Sequence, residues 1–169
     1  GSLGARTIND SMRLHLKEVK DANVQFIWQT GKYYNAEMNK AVSDFGEIPN
    51  LKVLDFITDM GAAYNAADLV ISRAGASSIS EFCLIGKPVI LVPSPNVAED
   101  HQTKNAMALV NKDAAVYVKD SEAPEMLLKR ALEIVNDNAK LESLSTNIKK
   151  LGLPNSADVI ADEVLKLVR

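Results

Sequence analysis

Short runs of β-branched and aliphatic residues alternate along this chain with longer segments of helical periodicity. The alternation restricts the fold strongly, because it is typical of parallel strands joined by helices that cover both faces of a sheet. The runs predict strands over residues 24–29, 51–54, 69–72, 88–92 and 115–118. The periodic segments predict helices near residues 8–20, 35–45, 59–66, 77–85, 101–111, 123–135, 141–151 and 156–168. We therefore predict an α/β fold, a Rossmann-like parallel sheet with helices on both faces.

The length of the chain favours one globular domain that comprises residues 1–169, and its charge bears on the partners it can bind. A chain of 169 residues, 47% of them hydrophobic, can bury one core but is short for two full domains. The net charge of −3 provides no basic field for nucleic-acid phosphates, so we expect no nucleic acid partner. Cys83, the single cysteine, and Trp28 lie in apolar stretches and are predicted to be core side chains. A lone cysteine also favours a reducing, cytoplasmic setting.

The first residues do not fit the alternating pattern, because residues 1–6 resemble a loop that enters a helix without a strand before it. In a doubly wound sheet, such a loop follows the first, central strand. We expect that strand to be missing and the chain to be part of a longer protein, although Gly1 and Ser2 are also what a cloning scar leaves. We further expect the gap to be filled by a neighbouring copy or by a rearranged segment, or to be closed because the remaining strands pair with each other in an altered order.

Residues 69–81 form a buried strand, a turn of small residues and a helix start, and they are the richest in candidate chemistry. Small residues leave room for a diphosphate over the helix amino terminus, where Ser77 and Ser78 add hydroxyl donors. One turn further, the Glu81 carboxylate could accept hydrogen bonds from ribose hydroxyls. The spacing from Ser78 to Glu81 is also that of a capping box, in which Glu81 only bonds back to the helix start. The residues themselves leave both interpretations open.

Two other loops are weaker candidates. In residues 1–6, two glycines permit close approach to a ligand, and the following helix start offers N–H groups to an anion. In residues 93–102, a strand exit leads to a predicted helix cap at Asp100, and His101 and Gln102 could reach sugar hydroxyls. Each loop is also what an ordinary solvated turn looks like. Because no metal-ligand spacing and no Asp-x-Asp triplet occurs, we expect no metal.

Four motifs, taken together and in this order, resemble the MurG family of bacterial N-acetylglucosaminyltransferases. They are Gly-Ser-Leu-Gly-Ala-Arg-x-x-Asn at residues 1–9, Asp-Phe-Ile-x-Asp-Met at 55–60, Arg-Ala-Gly-Ala-x-x-x-x-Glu at 73–81, and Asp-His-Gln-x-x-Asn-Ala at 100–106. The resemblance covers essentially the whole chain and implies the carboxyl-terminal, donor-binding half of a two-domain GT-B glycosyltransferase. Such enzymes move N-acetylglucosamine from UDP to a lipid-linked muramoyl-pentapeptide, with inversion, in peptidoglycan synthesis.

The resemblance also implies how the UDP part of the donor is bound. Ser2 would contact the diphosphate, and Ile57 would lie against the uracil with its backbone reading the edge of the base. The phosphates would lie over the helix start formed by Ala76, Ser77 and Ser78. Their negative charge would then be met by helix N–H groups and hydroxyls.

For the sugars, the resemblance implies that Glu81 binds the ribose hydroxyls and that His101 and Gln102 hold the N-acetylglucosamine. Many family members carry threonine or another residue where Ser77 or Ser78 stands, and some carry paired glutamines where this chain has His-Gln. These departures concern the hydroxyl and sugar positions and do not affect the ribose role of Glu81.

The remaining parts of the implied enzyme lie outside this chain. The acceptor site, the general base and the membrane-facing patch would belong to a missing amino-terminal domain, so we assign no catalytic residue and no cofactor. The lipid-linked acceptor would be reached only through that domain, with the full-length protein peripheral on the cytoplasmic face of the inner membrane. Alternatives are a UDP-sugar epimerase, a glycolipid glycosyltransferase of the same architecture, or a subunit completed by a separate polypeptide.

Overall fold

The computed structural model describes residues 4–96 and 100–167, and its elements follow the predicted alternation. The strands are β1 Phe26–Gln29, β2 Leu51–Leu54, β3 Val70–Ser72, β4 Val89–Leu91 and β5 Val116–Tyr117. The α-helices of the described part are α1 Arg6–Leu14, α2 Leu16–Asp21, α3 Asn35–Phe45, α4 Met60–Ala66, α5 Ala76–Ile85, α6 His101–Val110, α7 Ala123–Val135, α8 Asn138–Lys149 and α9 Ser156–Leu167. A 3-10 turn, Asp120–Glu122, precedes α7. Every predicted strand is present, and so is every predicted helix except the first, which is two helices.

All strand pairs are parallel, which confirms the predicted fold class, but the strands form two sheets. β1 pairs with β2, and β4 lies between β3 and β5. This is the strand order that a doubly wound sheet has when its central strand, between β1 and β3, is left out. The expectation that the remaining strands close up is wrong for the described residues, since β1 and β3 do not pair there, and no rearranged segment among them fills the gap. Filling by a neighbouring copy stays a prediction.

The second sheet is covered on both faces. Along β4 and the residue after it, side chains alternate between two core clusters, because successive residues of a strand point to opposite faces. Val89 and Leu91 pack with side chains of α5 and α6, whereas Ile90 and Val92 pack with side chains of α7. Cys83 is buried in the first cluster, as predicted.

A buried polar network ties α1 to the end of β1. Trp28 is 4% exposed, as predicted for a core residue, and its indole Nε1–H donates to Asn9 Oδ1 over 2.9 Å. Asn9 in turn donates from Nδ2 to the Thr30 carbonyl over 2.8 Å. Since Asn9 is 2% exposed, these bonds satisfy groups that would otherwise be costly to bury. The network holds the start of α1 against the carboxyl end of β1.

The predicted helix over residues 8–20 is interrupted at His15. The His15 backbone has φ −120° and ψ 32°, so α1 ends there and α2 begins at the next residue. The imidazole Nε2 lies 2.8 Å from the Pro124 carbonyl and Nδ1 lies 3.3 Å from Glu18 Oε1. These contacts join the break to the beginning of α7.

Candidate functional site

The candidate residues within residues 4–96 and 100–167 lie at the carboxyl edges of the two sheets. Because the strands of each sheet are parallel, their carboxyl ends and the loops that follow them meet at one edge of that sheet, where open α/β sheets bind ligands. The beginning of α1 also reaches this edge. Gly4 has φ +79°, and a Cβ placed on it would lie 2.2 Å from the Thr30 carbonyl oxygen, directly after β1. Glycine is therefore needed for this close approach.

The turn between β3 and α5 presents an open helix start, as the sequence predicts. Gly75 is the extended N-cap residue, and the first bond of the helix runs from the Ile79 N–H to the Gly75 carbonyl over 3.0 Å. The amides of Ala76, Ser77 and Ser78 therefore belong to the first turn, whose N–H groups have no acceptor within the helix. Ala76 and Ser77 are exposed and Ser78 is half-buried, so an anion can approach them.

The capping-box interpretation of Glu81 is wrong. Because α5 begins at Ala76, Ser78 lies inside the first turn instead of at the N-cap, and no side chain caps this helix. Glu81 is exposed, and its Oε2 accepts a hydrogen bond from the Tyr64 hydroxyl of α4 over 3.0 Å. A carboxylate oriented by a neighbouring helix is suited to binding a ligand's hydroxyl groups.

Burial raises the pKa of Tyr64 to about 12, and the hydrogen bond and negative charge of Glu81 add to the shift. The fold favours the protonated phenol. The stability that Tyr64 contributes by staying protonated is complete below the ordinary pKa of 10.0 and is lost as pH rises towards 12.

In a spectrophotometric titration by rapid pH jump, we expect one tyrosine to ionise near pH 12 and that step to be absent from Tyr64→Phe. In Glu81→Gln it should move down but stay above 10, because burial remains. An unshifted step in Glu81→Gln would contradict the Tyr64–Glu81 contact.

Ile57 follows β2 and is half-buried, and its backbone is already engaged. The Ile57 N–H donates to Gln29 Oε1, at the end of β1, over 2.9 Å. A ligand group that bonds this N–H must therefore displace or share the Gln29 oxygen. The sequence did not indicate Gln29 as a site residue, since its partner lies 28 positions away.

Gln102 joins two strand exits through its side-chain oxygen. Gln102 Oε1 accepts from the Ala74 N–H over 3.2 Å and from the Ser94 N–H over 2.9 Å, and Asn105 Nδ2 donates to the Ala74 carbonyl over 3.1 Å. Since the oxygen is committed to the backbone, a ligand would meet the donating side of the Gln102 amide. His101 is exposed in the first turn of α6.

Two further predictions at this edge have different outcomes. Asp100 occupies the N-cap position of α6, as predicted, but with φ 54° and without a side-chain cap bond. Ser2 lies outside the described residues, so its predicted contact with a diphosphate stays a prediction.

In residues 4–96 and 100–167, no group of three or more His, Cys, Asp or Glu side chains could hold a metal ion. No helix within those ranges is long and apolar enough to cross a membrane.

Sequence reasoning missed an ion pair at the centre of this edge. Arg73, directly after β3, donates from Nη1 to Asp120 Oδ1 and also to the Val92 and Pro93 carbonyls, over 3.0 and 3.2 Å. The other Asp120 oxygen, Oδ2, accepts from the Thr7 hydroxyl over 3.0 Å. These contacts join the carboxyl ends of β3, β4 and β5 to α1. The partners lie 47 and 113 residues apart, a separation that leaves no local sequence signal.

A parallel α/β domain with an open helix start at the carboxyl edge belongs to the class of doubly wound folds that bind anionic ligands at that edge. Comparison with known proteins identifies the family. Residues 1–160 match the model of the glycosyltransferase family 28 C-terminal domain, so the chain belongs to that family. It is 66% identical over 168 residues to the UDP-N-acetylglucosamine--N-acetylmuramyl-(pentapeptide) pyrophosphoryl-undecaprenol N-acetylglucosamine transferase of Bacteroides thetaiotaomicron. It is 56% identical over 170 residues to the transferase of the same name from Porphyromonas gingivalis.

The alignments cover 99% of this chain but only 45% and 44% of these relatives, so the chain spans about half the length of the curated relatives it matches. The crystal structure of Acinetobacter baumannii MurG superposes with a TM-score of 0.84 at 30% identity, over 98% of this chain and 50% of that one. The solution structure of ALG13 has a TM-score of 0.55 at 21% identity, over 88% of this chain and 92% of that chain, and shows a shared fold alone. The predicted GT-B half is thus confirmed.

Proposed function

We propose that this chain binds the donor of an inverting N-acetylglucosaminyltransferase, and that the donor is UDP-N-acetylglucosamine. The single observation that carries the proposal is the open start of α5 with Glu81, one turn inside, held by Tyr64. An anion site and a polar hydroxyl site are thereby placed one helical turn apart, as a nucleoside diphosphate requires. The names of the two curated relatives support the same sugar, since both are N-acetylglucosamine transferases.

In this proposal, the diphosphate lies over Ala76, Ser77 and Ser78, with Ser2 as a further contact. Helix N–H groups and serine hydroxyls donate to the phosphate oxygens, and the positive end of the α5 dipole favours their charge. Negative charge grows on the diphosphate as the glycosidic bond breaks, so the same groups stabilise the departing UDP. Glu81 accepts hydrogen bonds from the ribose hydroxyls while Tyr64 fixes its orientation.

The base and the sugar lie on either side of this centre. Ile57 lies against the uracil, and its N–H, now bonded to Gln29, turns to the base when the ligand enters. His101 and Gln102 hold the N-acetylglucosamine, with the Gln102 amide acting as a donor because its oxygen is used by the strand exits.

The second substrate and the general base are supplied by the rest of the longer protein. Transfer with inversion needs a base that deprotonates the acceptor hydroxyl. We propose that this base, and the site for the lipid-linked muramoyl-pentapeptide, belong to an amino-terminal domain that works at the cytoplasmic face of the inner membrane. This chain then binds donor without transferring its sugar.

A titration followed by NMR tests the donor assignment. We expect UDP and UDP-N-acetylglucosamine to shift the amide signals of residues 76–81 and of Ile57, and ADP to shift them much less. EDTA should leave the shifts unchanged, because helix amides and hydroxyls meet the phosphate charge in this proposal. Equal responses to ADP and UDP would refute the uridine assignment. An intact fold without shifts at residues 76–81 would refute the site.

A further inference from the structure

The two turns proposed to meet the diphosphate are far apart in the chain. One precedes α1 and contains Gly4, and the other precedes α5 and contains Gly75. Two helix starts can serve one diphosphate only if their separation is fixed, because a ligand that must first order them binds less tightly. The structure contains a direct connection between them.

That connection, the Thr7–Asp120–Arg73 strap, uses both oxygens of one carboxylate. Asp120 accepts from Thr7 in the first turn of α1 and from Arg73, two residues before Gly75. Both charged side chains are only 20% exposed. A charge-assisted bond in such a setting is stronger and more directional than one on an open surface.

The Arg73 end of the strap is held in place by further contacts. The same guanidinium nitrogen also reaches the Val92 and Pro93 carbonyls, so it lies across the end of β4. The next residue, Ala74, is bonded through both its N–H and its carbonyl to side chains of α6. Asp120 is therefore joined to the Gly75 turn by residues that are themselves held in place, and its bond to Thr7 fixes the start of α1 relative to that turn.

We propose that Asp120 is a positioning residue which, through Thr7 and Arg73, sets the separation of the α1 and α5 starts that a nucleoside diphosphate requires. This inference rests on the proposed function. Asp120 itself carries a negative charge and does not contact the phosphates. It acts through the two turns, so its contribution is to the affinity for UDP as well as to stability.

Thr7→Val is the sharpest test, because it removes the hydroxyl while retaining a β-branched side chain and the Arg73–Asp120 pair. We expect Thr7→Val to raise the Kd for UDP roughly 3- to 10-fold, the range set by one net hydrogen bond, with Thr7→Ser within about twofold of the unaltered protein. Ser145→Ala is the matched control, since Ser145 donates to the Gly86 carbonyl over 2.7 Å at the opposite end of the sheet. It should lower the melting temperature and leave the Kd unchanged.

Isothermal titration with UDP, together with amide spectra of the ligand-free proteins, separates the outcomes. The proposal is supported if Thr7→Val binds UDP more weakly and Thr7→Ser binds it nearly as tightly as the unaltered protein. The amide signals of residues 74–78 must also shift in ligand-free Thr7→Val. If Thr7→Val lowers the melting temperature while the Kd for UDP stays the same, the strap only stabilises the fold and the positioning role is refuted. If the folded, unaltered protein does not bind UDP, the proposed function is refuted and this inference with it.

Discussion

Replacing Glu81 with glutamine is expected to weaken UDP binding by about 1–3 kcal/mol, roughly 5- to 150-fold, with little change in the melting temperature. The carboxylate is exposed and accepts a hydrogen bond from Tyr64, so its removal leaves no buried group unpaired. In the proposed complex, the substitution removes the charge-assisted bonds from the two ribose hydroxyls to the carboxylate. Isothermal titration with UDP and differential scanning calorimetry measure the two quantities separately.

Two further variants make the Glu81 result specific. Glu142→Gln changes an exposed carboxylate on α8 and should leave the affinity for UDP unchanged. Tyr64→Phe keeps the carboxylate but removes the hydroxyl that orients it, so we expect a smaller loss than in Glu81→Gln. An unchanged UDP affinity in Glu81→Gln, in a protein that still melts cooperatively, would show that Glu81 does not bind the ribose.

Gly4→Ala is expected to have the largest effect on stability among single substitutions at the site. The positive φ disfavours alanine by roughly 1–2 kcal/mol. The new Cβ, 2.2 Å from the Thr30 oxygen and 2.9 Å from the Tyr34 ring, adds overpacking of roughly 1–3 kcal/mol. We expect a total loss of about 2–5 kcal/mol in the free energy of unfolding, measured by denaturant titration. If the turn moves away to relieve the clash, the loss appears in UDP affinity instead.

Gly46→Ala provides the matched control. Gly46 also has a positive φ, +109°, but nothing lies within 4 Å of an added Cβ. Its substitution should cost only the conformational part, roughly 1–3 kcal/mol, and should not change UDP affinity. Equal effects of the two substitutions on both stability and binding would show that the close approach of Gly4 to Thr30 does not exist in solution.

The fold could be predicted in most of its parts because its signals are local. The β-branched runs and helical periods fixed the positions of β1 to β5, and their alternation required parallel pairing. The break at His15 could not be predicted, since the residue that accompanies it, Pro124, lies 109 positions away. Nor did the sequence predict that β1 and β3 would stay unpaired as the edges of separate sheets.

By itself, the sequence determined the order of the elements, the open turn of small residues before α5 and the motifs that gather at one edge. Only the tertiary structure excluded the capping-box interpretation of Glu81, by starting α5 at Ala76 and placing Tyr64 beside the carboxylate. It also committed the Gln102 oxygen to two strand exits and joined Arg73 to Asp120. Propensity and periodicity are properties of neighbouring residues, whereas these hydrogen bonds join side chains that meet only when the parallel strands bring their carboxyl ends together.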